Sequence, residues 1–389
     1  MCAERPGVGA AGAGLCGSLV GIGLARFAYS PLIPALIGAG WFTPGGAVSL
    51  GAANLAGYLA GAVGARGLAG WMGARGALRA MMVAATVAFV ACAWRLGFGW
   101  FVAWRFLSGV SGGVIMVLGA TLVLPHVAAT RRGLVGGVIF AGVGLGIVAS
   151  GTLVPLLLRS GVVAAWLGLG ALSGVLTVVA WRRWPGAEAA VPAGAGTGRI
   201  GRAAWAVIVA YGLNAAGLVP SMLFLVDYIA RGLGRGVGEG SAFWVLYGVG
   251  AVGGPLVLGR IADRIGFGRA LPLGLLVQAV AAALPAVTGQ RVWLGVSAVV
   301  VGGFTPGMVV LVLGRLQEVV PRTAQRLAWS HATVSFGVGQ AGAAYLYSVM
   351  FGRTGGSYTV VFAAGVVATL LALALDGVAG HDRGMVQNG

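Results

Sequence analysis

Residues 98–124 read FGWFVAWRFLSGVSGGVIMVLGATLVL, a stretch in which Arg105 is the single charged side chain. About 20 apolar residues in a helix cross a hydrocarbon core of about 30 Å, so this stretch is long enough to span a bilayer. Similar apolar stretches follow one another along the chain, and the alternating apolar and polar pattern of a membrane barrel is absent. The sequence therefore predicts an all-α membrane protein.

Twelve such stretches account for most of the 389 residues, and each is predicted to be a transmembrane helix. The predicted spans are 12–36, 45–66, 77–95, 98–124, 134–158, 161–182, 203–229, 241–259, 270–289, 292–316, 328–350 and 356–379. The first apolar stretch is too long for the core of a signal peptide. We therefore interpret it as the first membrane helix.

The composition indicates the same class. Hydrophobic residues make up 59% of the chain and charged residues 8%, whereas soluble domains carry about 25% charged residues. The net charge of +17 could indicate nucleic-acid binding, but the arginines lie in short clusters between apolar stretches, so no nucleic-acid partner is predicted. The cysteines lack C-x-x-C spacing, and the few histidines and acids are scattered without metal-ligand spacing. We expect no metal, no cofactor and no enzymatic activity.

The placement of the arginines predicts the orientation of the chain. With the N-terminus inside, 17 of the 25 basic residues fall in cytoplasmic segments and 6 in outer loops. Cytoplasmic loops of membrane proteins are enriched in positive charge. Both termini are therefore predicted to lie in the cytoplasm.

An internal repeat divides the chain. YLAGAVG at 58–64 recurs as YGVGAVG at 247–253, an offset of 189. An offset of 195 pairs 142–144 with 337–339 further along the chain. Six predicted helices in each half give both copies the same orientation, which is the parallel-repeat arrangement of certain transporters.

The segment 183–202 is rich in Pro and Gly and is flanked by arginines. It is predicted to be a flexible cytoplasmic linker. The predicted domains are therefore an N-terminal six-helix bundle (1–182), the linker, and a C-terminal six-helix bundle (203–389). Within the bundles, Gly57-x-x-x-Gly61 and Gly109-x-x-x-Gly113 have the spacing of close contacts between membrane helices.

The loop between spans 8 and 9, GRIADRIGFGR at 259–269, resembles the G-x-x-x-D-R-x-G-x-x-R loop of the major facilitator superfamily. The corresponding GWMGARGALR at 70–79 keeps the glycine and the arginines but has Ala74 in place of the acid. Arg105-Phe-Leu-Ser-Gly109 resembles the helix-4 motif of that superfamily, whereas helix 5 lacks the Gly-Pro of its antiporter signature. Residues 23–34, 54–58 and 218–227 are similar to those of the YbfB/YjiJ-type bacterial permeases.

This resemblance covers nearly the whole chain and implies a secondary transporter of the bacterial cytoplasmic (inner) membrane. Its expected partners are a small-molecule solute, protons and the lipid bilayer, and a monomer is expected to be sufficient. Such transporters alternate between inward-open and outward-open states about a midplane site. The residues that the resemblance assigns to a gating loop are Gly259, Asp263, Arg264, Gly266 and Arg269, with Arg75 in the first half.

Helices 1, 4, 7 and 10 line the central cavity in the fold that the resemblance implies. A charge in hydrocarbon costs about 2.5–3.5 kcal/mol or more, so intramembrane charges normally face a wet cavity or a partner. The candidate residues of the transport pathway are Arg26 and Tyr29 on helix 1, Asn54 on helix 2, Arg105 on helix 4, and Tyr211, Asn214 and Asp227 on helix 7. Two arginines against one acid favour an anionic solute such as a carboxylate, which a guanidinium binds in bidentate fashion.

Structural alternatives stand beside these assignments. Arg105 could pack helix 4 against backbone carbonyls, Asp227 could pair with Arg231, and the two asparagines could bond helices together. His331 is predicted to have a structural role. The main functional alternative is proton-driven efflux of amphipathic compounds, and a membrane receptor or membrane enzyme is a more remote one.

Overall fold

The computed structural model describes residues 6–127, 132–186, 200–321 and 323–386, and within these ranges it contains helices and no strand. The predicted all-α fold is confirmed. In the first half the helices are α1 (Pro6–Ser18), α2 (Tyr29–Gly38), α3 (Pro44–Met72), α4 (Ala74–Ala91), α5 (Phe98–Val123), α6 (Arg132–Leu158) and α7 (Val162–Trp181). In the second half they are α8 (Arg202–Leu223), α9 (Leu225–Asp227), α10 (Gly236–Ile265), α11 (Phe267–Val287), α12 (Arg291–Val319), α13 (Gln325–Arg353) and α14 (Tyr358–Val386).

Eleven helical segments of the described chain are long and apolar enough to cross a membrane. Each of them corresponds to one predicted span. The remaining predicted span, 328–350, lies within α13, a helix of 29 residues that carries more polar side chains. The chain is a multi-pass membrane protein.

Several helices extend beyond the apolar segment that predicted them. The prediction ended the second span at residue 66 and the eighth at 259, but α3 continues to Met72 and α10 to Ile265. Each helix stops where a glycine follows with a positive φ, 75° at Gly73 and 79° at Gly266. Glycine adopts this conformation at little cost, so the local backbone, and not the loss of hydropathy, ends these helices.

The chain forms two compact units. The first comprises residues 1–192 and 229–245, and the second comprises residues 193–228 and 246–389. The domain boundaries expected at 182 and 203 stay a prediction. Most of the expected linker, residues 187–199, lies outside the described residues.

Close contacts between glycines and backbone hold α3 against α5 in the first unit. A Cβ atom added at Gly61 would lie 2.2 Å from the carbonyl oxygen of Val110, and one added at Gly113 would lie 2.1 Å from that of Tyr58. A Cβ atom added at Gly57 or Gly109 would lie equally close to a backbone oxygen, at 2.0 and 1.9 Å. Any larger residue would force the helices apart, so the predicted close contacts are present.

The second unit repeats these contacts between α10 and α12. A Cβ atom at Gly250 would lie 2.0 Å from the carbonyl oxygen of Val299, and one at Gly302 would lie 2.1 Å from that of Tyr247. All four positions follow those of the first unit at the offset of 189. The sequence repeat is therefore also a repeat of backbone contacts.

Candidate transport site

The first membrane segment is interrupted near its middle. α1 ends at Ser18, a π-helical segment spans Leu19–Leu24, and an irregular turn at 25–28 precedes α2. Pro31 lies in the first turn of α2, where its missing N–H is tolerated. Non-helical backbone at membrane depth occurs where protein or a cavity satisfies its polar groups, and π-helical segments are frequent at functional sites.

Arg26 lies in this interruption, and not in a continuous helix as the sequence predicted. Its side chain is half-buried. The guanidinium carbon lies 5.0 Å from the ring centroid of Phe27 and 5.3 Å from that of Tyr58 on α3. Both separations are within the range of cation–π attraction. The two rings hold the charge at the irregular turn.

Arg105 on α5 is almost completely buried, with 2% of its surface exposed. Its Nη1 donates a hydrogen bond of 2.9 Å to the carbonyl oxygen of Ala25, which also accepts one from Ser108 Oγ at 3.2 Å. Its guanidinium carbon lies 4.2 Å from the ring centroid of Tyr29. Arg105 therefore satisfies a carbonyl in the interrupted segment, and these contacts favour the packing alternative over contact with solute.

Asn54 and Tyr29 complete this buried layer. Asn54 Nδ2 donates to the carbonyl oxygen of Arg105 at 3.1 Å, which joins α3 to α5. The Tyr29 hydroxyl donates to the carbonyl oxygen of Ala47 at 2.6 Å. Both groups thus bond backbone of neighbouring helices, which is a common use of polar side chains in membrane bundles.

Residues 229–245 add an aromatic side chain beside Phe27 within the first unit. The ring of Trp244 lies 6.1 Å from that of Phe27, and its indole N–H donates to Ser150 Oγ at 3.1 Å. Sequence reasoning missed Trp244 and Ser150. Tryptophan and serine are common in this apolar chain, so no sequence signal marked this pair.

The corresponding segment of the second half, the predicted span 203–229, is also interrupted. α8 ends at Leu223, the short α9 follows, and a π-helical segment spans Tyr228–Gly232. Asn214 on α8 is buried, and its Nδ2 donates to Gln278 Oε1 on α11 at 2.9 Å. Asn214 Oδ1 and Gln278 Nε2 are buried and have no hydrogen-bond partner among the described residues. A buried amide pair with a free acceptor oxygen and a free NH2 group can bind a polar solute or water.

Tyr211 lies three residues before Asn214 and packs against α13. Its ring lies 4.7 Å from that of Phe336 and 6.3 Å from that of Trp329. His331 lies on α13, and its Nδ1 is 2.9 Å from the carbonyl oxygen of Leu327, one turn earlier. The His331 ring packs edge-on against Trp205 at 5.2 Å, an arrangement typical of a structural histidine.

Asp227 at the end of α9 is fully buried. Its Oδ2 accepts a hydrogen bond of 2.6 Å from the hydroxyl of Tyr358, the first residue of α14. The Tyr358 ring also lies 5.3 Å from that of Tyr228. The acid is thus held inside the second unit.

The loop between α10 and α11 contains the five residues that the resemblance assigned to a gate. Gly259, Asp263 and Arg264 lie on the last turns of α10, Gly266 makes the turn, and Arg269 follows in α11. The side chains of Asp263, Arg264 and Arg269 are exposed. Asp263 makes no hydrogen bond or ion pair with any side chain that the structure describes.

Glu318, at the end of α12, holds this loop instead. Its Oε1 accepts from the backbone N–H of Phe267 at 3.1 Å and so caps the N-terminus of α11. Its Oε2 lies 3.0 Å from Nη1 of Arg315, a buried side chain with 4% exposure.

Arg75 in the α3–α4 loop and Arg264 in the α10–α11 loop do not lie at equivalent positions. The turn residue Gly73 lies fifteen positions after Tyr58, whereas the turn residue Gly266 lies nineteen positions after the equivalent Tyr247. The difference of four residues is about one helical turn. Arg75 therefore follows its turn glycine at the start of α4, while Arg264 precedes its own at the end of α10.

The comparisons with known proteins agree with this architecture. The family model described as "Uncharacterised MFS-type transporter YbfB" matches residues 18–376. The chain belongs to this family. It is thus a secondary transporter of the major facilitator superfamily, and not an enzyme.

The fold of this MFS-type transporter is that of a solved relative. The crystal structure of a D-xylose-proton symporter superposes with a TM-score of 0.72, covering 94% of this chain and 96% of that chain. The two sequences are 16% identical, so the likeness concerns the fold alone. No curated protein sequence matches the transporter.

The most informative residue that sequence reasoning missed in this MFS-type transporter is Gln278. It is the single amide or charged side chain in residues 270–289, and polar residues inside membrane helices are a functional signal. That signal was available but was not used. Among the described residues, no group of three or more His, Cys, Asp or Glu side chains could hold a metal ion.

Proposed function

We propose that this MFS-type transporter moves a small organic anion across the bacterial inner membrane by alternating access, with both termini in the cytoplasm. The observation that carries the proposal is the position of Arg26. Its guanidinium lies in the interruption of the first membrane segment, half-buried between the rings of Phe27 and Tyr58. Irregular backbone of this kind forms solute sites in transporters with broken helices.

The charge of the first half supports an anion. The sequence between Glu4 and Glu188 contains no Asp or Glu, so the membrane helices of this half contribute positive charge only. Arg105 donates to the carbonyl of Ala25, and Arg26 lies at the interruption itself, so we assign recognition of the solute to Arg26. A guanidinium binds a carboxylate through two parallel hydrogen bonds. A cationic amphiphile would meet repulsion here, which counts against the efflux alternative.

The second half supports recognition of the uncharged part of the solute and coupling to protons. Asn214 and Gln278 present an unused acceptor oxygen and an unused NH2 group, and neutral amides suit hydroxyl or carbonyl groups. Asp227 is fully buried and bonded to the Tyr358 hydroxyl, and a buried carboxyl that gains and loses a proton is the usual proton carrier of transporters. We assign the coupling to Asp227.

A ligand panel tests the proposed solute class. Purified protein in detergent is heated with mono- and dicarboxylates, neutral sugars or cationic amphiphiles, and its unfolding temperature is recorded. A ligand at 100 times its Kd that binds only folded protein adds about 2.7 kcal/mol of stability, a readily measured shift. We expect a carboxylate to stabilise the protein, and Arg26→Ala to remove the shift without unfolding the protein.

The controls separate position from charge. Arg66→Ala removes an exposed arginine of the same unit and should leave the carboxylate shift intact. A carboxylate shift that persists in Arg26→Ala would contradict the assigned site. Stabilisation by cationic amphiphiles alone would instead favour the efflux alternative.

Transport into liposomes tests the coupling assigned to Asp227. Uptake of the carboxylate should follow an imposed pH gradient, and Asp227→Asn should abolish that dependence while solute exchange continues. A retained dependence would contradict the coupling assignment.

A further inference from the structure

A groove runs between α4 and α7 of the first unit, away from Arg26 and the interrupted segment. Its volume is about 790 Å³. One helical face of α7 contributes Gly174, Thr177, Val178 and Trp181, and α4 contributes Val83 and Thr86. Both helices are membrane spans, and the valines are well exposed, up to 75% at Val178. An exposed apolar face at membrane depth lies against acyl chains.

The hydroxyl groups in the groove are satisfied inside the protein. Thr86 Oγ1 bonds the carbonyl oxygen of Met82 at 2.9 Å and Ser173 Oγ at 2.8 Å. Thr177 Oγ1 donates to the carbonyl oxygen of Ser173 at 2.7 Å. The surface that the groove presents is therefore hydrocarbon, which suits an acyl chain and not a polar solute.

Arginines surround the mouth of this groove, on the side predicted to face the cytoplasm. Arg182 and Arg183 follow the last residue of α7 and line the groove. Arg79 on α4 donates from Nε to the carbonyl oxygen of Trp181 at 2.8 Å, and its guanidinium carbon lies 4.9 Å from the Trp181 ring centroid. The Arg75 side chain reaches Gly186, where an added Cβ would lie 3.1 Å from Nη1.

Arg79 is held in place and retains hydrogen-bond donors. A guanidinium has five N–H donors; Nε and Nη2 each bond the Trp181 carbonyl, which leaves three donors without a partner among the described residues. The carbonyl belongs to the last residue of α7, so Arg79 also caps that helix. A guanidinium fixed by a cap and an indole ring is preorganised for a phosphate.

The charge at the mouth has no carboxylate counterpart in this stretch of chain, since the sequence between Glu4 and Glu188 contains no acid. Basic clusters between membrane helices on the cytoplasmic side bind anionic lipid head groups, and tryptophans such as Trp181 anchor at this interface. We propose that one anionic phospholipid binds here, its phosphate at Arg79, Arg182 and Arg183 and an acyl chain along Val83 and Val178.

Native mass spectrometry and thermal unfolding test the lipid site on the purified full chain. The probes are phosphatidylglycerol, phosphatidylcholine with the same acyl chains, and soluble glycerol phosphate. We expect phosphatidylglycerol to remain bound and to raise the unfolding temperature, and the other two to do neither. Equal effects of both lipids would overturn the requirement for an anionic head group. Stabilisation by glycerol phosphate alone would show a site for a free phosphate and overturn the lipid.

Two variants locate the lipid in the groove. Arg79→Gln/Arg182→Gln should weaken phosphatidylglycerol binding at least tenfold, whereas the matched control Arg66→Gln/Arg260→Gln, which removes two exposed arginines elsewhere, should not. Gly174→Leu keeps all the arginines; its Cβ would lie 3.6 Å from Thr86 Cγ2, an ordinary contact, and the rest of the leucine would occupy the groove. It should also lower lipid retention. Unchanged retention in Gly174→Leu, or equal losses in both double variants, would overturn the site.

Discussion

The first membrane segments of the two halves are both interrupted, but different chemistry surrounds each interruption. In the first half, the carbonyl oxygen of Ala25 accepts from the buried Arg105 and from Ser108. In the second half, the segment contributes Asn214, bonded to the amide of Gln278, and Asp227, bonded to the Tyr358 hydroxyl. The charge in the first segment is basic alone, whereas the second carries an acid, neutral groups and, in its π-helical stretch, Arg231.

This difference shows which features the two repeats share. The glycine contacts of α3 with α5 and of α10 with α12 recur at one offset, because close backbone packing tolerates no side chain. The charged side chains do not recur, since the same offset places Ala215 at the position of Arg26 and Leu294 at that of Arg105. The repeat therefore preserves the contacts that build each bundle and leaves each half free to carry different binding chemistry.

The largest loss of stability among the variants that test this comparison is expected from Arg105→Ala. The substitution removes a charged hydrogen bond to the Ala25 carbonyl and leaves a cavity beside Tyr29. Together these should lower the free energy of unfolding by about 3 kcal/mol. Equilibrium unfolding in mixed micelles measures the loss.

Ser108→Ala is the matched control for Arg105→Ala. It removes the second donor to the same carbonyl but no charge, and it should cost about 1 kcal/mol. Equal stabilities of wild type and Arg105→Ala would show that the interruption does not depend on this arginine. Solute binding, which we assign to Arg26, should survive in any Arg105 variant that remains folded.

A smaller effect is expected from breaking the amide pair of the second half. Gln278→Leu leaves the buried Asn214 amide without its partner and should cost about 1–2 kcal/mol. The double variant Asn214→Leu/Gln278→Leu replaces both groups by apolar ones and should be closer to wild type than the single variant. Additive losses in the double variant would show that the two amides are not coupled. The same unfolding experiment provides the measurement.

The sequence predicted the helices well because a membrane segment is marked by its composition alone. Residues 98–124 and α5, Phe98–Val123, agree within a residue at their ends. Where prediction and structure differ, the local backbone decides. The interruption at 19–28 lies in apolar sequence, and α10 continues to Ile265 although the hydropathy falls from Arg260 onward, so a hydropathy pattern could show neither.

The candidate site was predicted only in part. Arg26, Arg105 and Asp227 stood out because charge is rare in membrane spans. Their partners did not stand out, because the Ala25 carbonyl and the Tyr358 hydroxyl are brought near by packing between helices distant in sequence. The repeat pairs Arg75 with Arg264, but it could not show that an unmarked difference of four residues places them on opposite sides of their turn glycines.

The smallest change in stability is expected at the two loops with turn glycines, where a selective effect on transport can be tested. In the second half, α10 continues about one turn further past its repeat tyrosine than α3 does and carries Asp263 on that turn, exposed and unpaired among the described side chains. Asp263→Asn should therefore change the stability by less than about 0.5 kcal/mol. If the acid engages a partner in another state of the transport cycle, as we propose for a gate, the variant should slow solute uptake about fivefold and leave the Kd unchanged.

Glu318→Gln is the contrasting variant for this loop, because Glu318 caps α11 and pairs with the buried Arg315. It should lower the free energy of unfolding by about 1 kcal/mol. Uptake into liposomes and ligand-induced stabilisation, measured side by side on both variants, separate a gate from a cap. An uptake rate in Asp263→Asn equal to that of wild type would contradict the gate, and an unchanged stability in Glu318→Gln would contradict the cap.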